Sequence, residues 1–293
     1  MIGFYVVNLL PPTTPLHFNL QTPCGAWEFQ QVQNFGQVHP AVFQGATANT
    51  YTMTFPLPVN GPSSLMDAAF EEAVPICLAA SFVTGAAVTI KHSLPASTIQ
   101  FLTVGPHFPR DRGLASPAAC VNSFAQFIAF MERFVAQFKA LDHVEKIRLL
   151  MHFFIDATAC WSLENQYLSG STLLQVIADT EKSMGGPFAS AHAAQHNQGR
   201  ASNPAFFDLL AGAANRGSIA PLTHDVVKVR NSLIHTGTLQ SASLPTQADA
   251  AVPIAEAMHW FDQYVYAILG LGSVPVNRYP VHVLTHGINS FSF

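Results

Sequence analysis

The sequence predicts an α+β protein: an N-terminal β-rich domain over residues 1–109, followed by an all-α helical bundle over residues 110–293. Three observations carry this reading. Twelve of the twenty prolines fall before residue 110, between short runs rich in β-formers. Lys91 is the only Lys or Arg before Arg110, and Glu28, Asp67, Glu71 and Glu72 leave that half at −3. After Pro117 the pattern changes to long stretches with apolar residues at helical spacing.

The chain of 293 residues is 49% hydrophobic and 10% charged with a net charge of −4, which excludes disorder, collagen and coiled coil. This length can bury a core without staples. Cys24, Cys77, Cys120 and Cys160 are far apart, form no CxxC pair and read as reduced core thiols of a cytoplasmic protein. The opening MIGFYVVNLLPPTTP lacks a basic segment and breaks at Pro11-Pro12, so no secretory signal is expected.

In the first half, FYVV, HFNLQ, AWEFQQVQNF, NTYTMTF and STIQFLTVG read as strands of a small sandwich or barrel with one helix packed on it. Ala73 to Ile90 carries no charge over eighteen residues, the lower limit for a membrane span. Pro75, Gly85 and the β-branched ending instead fit a buried helix from Leu65 to Val83, a glycine stop and a strand from Ala86 to His92. No membrane association is expected. Gly105 to Pro117 reads as the linker.

In the second half a helix is expected from Ala118 to Leu141, with Phe124, Phe127, Phe130, Phe134 and Phe138 along one face as core. Asp142, with Glu145 at N3, should cap the next helix, which runs to Tyr167. Ser169-Gly170-Ser171 should interrupt before a third helix that stops at Gly185-Gly186-Pro187. A long polar segment follows, then helices from Pro204 to Asn215, from Thr223 to Gly237 and from Ala250 to Leu271.

The segment LTHDVVKVRNSLIHTG, Leu222 to Gly237, carries the chemistry. Thr223 can cap it, Asp225 suits the positive end of the dipole and Gly237 terminates it. Val226, Val229 and Leu233 form its apolar face; Arg230, Asn231 and His235 lie elsewhere, Asn231 and His235 one turn apart. Arg offers a permanently charged fork for phosphate, and His exchanges protons near neutrality. Together they suit phosphodiester chemistry without metal or other cofactor.

RNSLIH, Arg230 to His235, resembles the R-N-x-x-x-H signature of the HEPN superfamily, whose domains are helical bundles with this motif on a late helix. The likeness covers about half the chain, and with eight Arg, thirteen Asn and thirteen His such a match arises by chance in roughly one chain in sixty. It implies a metal-independent endoribonuclease, of prokaryotic defence or toxin type, in which two protomers bring their motifs into one cleft. His235 would act as general base or acid, Arg230 would stabilise phosphoryl charge and Asn231 would orient either partner. Glu181 looks like the acidic auxiliary residue found on an earlier helix of such domains. RNA would be the substrate and the assembly a homodimer, residues 1–109 would have the regulatory or sensing role, and the trigger, an activating ligand or partner protein, is not identified by the sequence.

Net charge argues the other way, since a pI near 6.3 lacks the basic footprint of a general nucleic-acid binder. Local clustering of Arg230 and Lys228, with Arg200 or Arg216, would have to supply it. The alternative is a non-catalytic HEPN-like dimerising or ligand-binding module. The structural reading of the motif itself is that Arg230 pairs with a surface acid and His235 serves the helix C-terminus. His192/His196 and His282/His286 form HxxxH without the Glu of a metalloprotease, and no GxSxG, Walker A or GxGxxG occurs.

Overall fold

The computed structural model describes residues 2–43, 46–55, 63–94, 119–159, 163–185 and 206–279. The layout is α+β, with an antiparallel sheet first and helices after it. The chain divides into two compact units, residues 1–140 and 141–293. That division falls seventeen residues into a helix rather than at 109/110, and the expected linker Gly105 to Pro117 lies outside the described residues.

In the first unit β1 (Ile2–Val7), β2 (His17–Thr22), β3 (Gly25–Gln31), β4 (Asn49–Phe55) and β5 (Thr89–Leu94) form one sheet in the order β2-β3-β4-β1-β5. Phe4 opposes Met53 of β4 and Ser93 of β5, making β1 a central strand, and five of its six residues are buried. The edge strand β2 alternates instead, with Phe18 and Leu20 inward. Four of the five expected strand runs match; STIQFLTVG lies outside the described residues.

Among the described residues there is no sandwich or closed barrel, because helices cover the sheet's apolar side. These are α2 (Ser63–Thr84) and the first part of α3 (Phe124–Glu145). Phe70 of α2 meets Phe4 edge-on, Phe82 stacks on Phe130, and Phe18 meets Phe124 and Phe127. Phe127, Phe130, Phe134 and Phe138 of the phenylalanine stripe are buried, as its spacing indicates, and Phe124 is half-buried; they are core of the sheet unit. A further helix, α1 (Phe35–Phe43), replaces the end of the third strand run, Phe35 packing on Tyr51 at 5.5 Å. α2 ends at Gly85 with φ +72, as the glycine stop predicts. No described helix is long and apolar enough to cross a membrane.

In the second unit, α3 ends at Glu145, Lys146 takes φ +55, and α4 runs from Ile147 to Ala159. Asp142 is therefore inside α3 rather than at an N-cap. Its carboxylate still accepts from the Arg148 backbone N–H at 3.0 Å, satisfying one orphan donor of α4. α5 (Leu163–Met184) runs unbroken through Ser169-Gly170-Ser171. Gly170 is buried, an added Cβ would lie 3.5 Å from Met258 Sδ, and the Ser171 and Thr172 hydroxyls donate to Leu168 O, so packing overrides the weak helix propensity.

α5 is the central element of this unit, touching α4, α6 (Phe206–Gly217), α7 (His224–Thr236) and α8 (Gln247–Leu269). α8 begins three residues earlier than its apolar pattern indicates, because Thr246 and Asp249 form a capping box. Phe154 packs on Phe261 at 5.7 Å, and Arg278, from the segment after α8, is buried over Phe154 with its guanidinium on Asp262 at 2.6 and 2.9 Å.

Candidate functional site

α7 is amphipathic in the sense its sequence dictates. Val226, Val229 and Leu233 are buried, while Asn231 and His235 are exposed and Arg230 is half-buried. Gly237 closes the helix with φ +73, its N–H bonding Leu233 O at 3.1 Å. Thr223 occupies the N-cap with extended backbone but does not cap through its hydroxyl. That hydroxyl and the Thr223 N–H both donate to the Glu256 carboxylate, at 2.6 and 2.5 Å, which fastens the start of α7 to α8.

Arg230 pairs with no acid among the described residues. Its guanidinium carbon lies 4.8 Å over the ring of Phe206, and Nη1 donates to Asn231 Oδ1 at 3.4 Å. The turn beneath it is held from inside the bundle: the buried Tyr167 hydroxyl donates to Val226 O and faces the Arg230 backbone N–H. Burial pushes the Tyr167 hydroxyl pKa well above its ordinary value, so it remains a donor. His235 makes no hydrogen bond or ion pair among the described residues, and stands in the last turn, where the helix dipole favours a cation.

The structure thus joins Arg230 to Asn231 and leaves His235 uncommitted one turn beyond Asn231. At about 100° per residue, Arg230 and His235 lie about 140° apart around the axis. One helix does not aim both at a single small group. Phe206 and Tyr167, which position Arg230, carry no sequence signal, because each comes from a distant helix.

Glu181 is buried on α5 and its partner is Arg216, with Nε to Oε2 at 2.9 Å. The same guanidinium bonds Glu145 at 2.6 and 3.4 Å and the Tyr264 hydroxyl at 2.9 Å, and Tyr264 donates to Glu145 at 2.6 Å. Two buried carboxylates, one half-buried guanidinium and one buried phenol therefore form a closed network joining α3, α5, α6 and α8. Glu145 belongs to it rather than to a capping box.

This placement redraws the expected cluster of cations. Arg216 is neutralised by two carboxylates, Lys228 pairs with Asp225 at 2.6 Å, and Arg200 lies outside the described residues. Cys77 and Cys120 are buried thiols as expected, whereas Cys24 is exposed, and Cys160 lies outside the described residues. Burial pushes the Cys77 thiol up to about 12. The two HxxxH pairs also lie outside the described residues, among which no group of three or more His, Cys, Asp or Glu side chains is arranged to hold a metal ion. Comparison with protein-family models, with curated proteins and with solved structures gives no match for this chain.

Proposed function

We propose that this chain is a metal-independent endoribonuclease of HEPN type, acting in prokaryotic defence or as a toxin in the cytoplasm, with its site completed by a second copy. What supports the reading is one observation: the solvent side of α7 offers a positioned guanidinium, an amide bound to it and an uncommitted imidazole. His235 takes the proton of a ribose 2′-hydroxyl, whose oxygen attacks the adjacent phosphorus. The 5′-oxygen leaves and takes up a proton, giving a 2′,3′-cyclic phosphate. Arg230 neutralises charge developing on the non-bridging oxygens, and Asn231 keeps its fork oriented. The angle between Arg230 and His235 favours a dimer, in which one protomer's Arg230 faces its partner's imidazole across the scissile bond.

Incubation with labelled single-stranded RNA in EDTA tests this. Wild-type protein is expected to cleave, and Arg230→Ala and His235→Ala to lose at least about 10²-fold in rate. Equal cleavage by all three overturns it. A second reading, a non-catalytic dimerising or ligand-binding module, is favoured by the ion pairs that occupy Lys228 and Arg216. It predicts no motif-dependent cleavage and a shallow salt dependence of RNA binding.

A further inference from the structure

We propose that the N-terminal unit carries a binding site for an uncharged ring compound of nucleoside type, in a cavity beside the loop joining β1 to β2. The cavity encloses about 390 Å³, within the range of small-molecule sites, and its lining includes Leu10, Pro11, Thr13, Thr14, His39 and Asn122.

Its loop wall is fixed in an unusual shape. Thr13 and Thr14 take φ +64 and +37, a region that β-branched residues rarely occupy. Five hydrogen bonds fasten the loop that carries them, two at its start and three around Thr14. Asn8, fully buried, accepts from the Ala48 N–H at 3.2 Å and donates to Ala87 O at 3.3 Å. Gln31 donates to Thr14 O at 2.7 Å, the Tyr51 hydroxyl to Pro15 O at 2.7 Å, and the Thr14 N–H to Pro11 O at 3.1 Å. Backbone strain retained by so many bonds is a mark of functional positions.

The lining specifies the ligand's chemistry. Leu10, Pro11 and the buried Val121 supply apolar surface for a flat ring. The side chains of Thr13, Thr14 and Asn122 have no hydrogen-bond partner among the described residues, and together offer neutral donors and acceptors to a ring's edge. Apart from His39, whose ring packs on Phe35 at 5.3 Å, the described residues of the lining include no ionisable side chain, so a phosphate, carboxylate or ammonium finds no permanent counter-charge among them. A nucleoside fits these requirements, and its 5′-monophosphate fits them worse. The proposal stands independently of the chemistry on α7.

Calorimetric titration of the full chain with adenosine, guanosine, cytidine and uridine, and with the four 5′-monophosphates, tests it. At least one nucleoside is expected to bind with Kd below about 1 mM, and its monophosphate at least about tenfold more weakly. Asn122→Ala and Thr13→Ala remove exposed polar groups; the latter keeps the Cβ at φ +64 and deletes only the hydroxyl. Each should weaken binding about fivefold. His235→Ala should leave it unchanged, which separates this site from the proposed nuclease. Absence of binding by every nucleoside, equal or tighter binding of the monophosphates, or wild-type affinity in both lining variants would overturn it.

Discussion

Replacing Arg216 by Met keeps the apolar stem of the side chain and removes the charge that Glu145 and Glu181 share. Those carboxylates are 5% and 7% exposed, and the guanidinium reaches them at 2.6 and 2.9 Å. Deleting one partner of a buried pair costs about 3–5 kcal/mol, because the remaining charge stays buried without compensation. Arg216 itself is 32% exposed, so water reaches the gap and the lower end, about 3 kcal/mol, applies. For a unit of this size that is a fall in Tm of about 6–12 °C, read by circular dichroism at 222 nm. Adding Glu145→Gln and Glu181→Gln to Arg216→Met should recover much of the loss, since the deficit is electrostatic. A Tm within about 1 °C of wild type, accompanied by weakened RNA binding, would refute the argument and return Arg216 to the solvent-facing role its sequence position suggests.

Tyr167→Phe removes the hydroxyl that bonds Val226 O; a loss of about 1–2 kcal/mol by urea denaturation is expected, with Arg230 less well held. Thr246→Ala breaks the capping box that starts α8 and should cost about 1 kcal/mol, measured the same way. Burial, assisted by Arg278 and opposed by Asp262, holds His259 below its ordinary pKa. The unfolded chain then binds more protons as pH falls through about 6.5, so stability present above that pH is lost on acidification. His259→Gln should flatten the urea midpoint against pH between about 7 and 5.

The helices of the second unit are legible because their ends are written locally. Gly185, Gly237 and Gly270 each take positive φ where α5, α7 and α8 stop. Where sequence and structure part, tertiary packing decides. α1 forms despite Pro40 because Phe35 packs on Tyr51, and α5 passes through Gly170 because the helix lies close to Met258. The three motif residues of α7 and its buried face follow from spacing alone. The partners do not: spacing gives no hint that Phe206 lies under Arg230, that Thr223 serves Glu256, or that Glu181 and Arg216 neutralise each other. A charge count records cations without recording which are already paired.

Removal of His235 is harmless to the fold, because the side chain is exposed and has no hydrogen-bond or ion-pair partner among the described residues. The direct measurement is the chemistry of the RNA ends left by EDTA-treated protein, compared between wild type and His235→Ala at equal Tm. The account predicts 2′,3′-cyclic phosphate ends from wild type and at least about 10²-fold less product from the variant. Undiminished cleavage by the variant, or ends lacking the cyclic phosphate and its hydrolysis products, would contradict it.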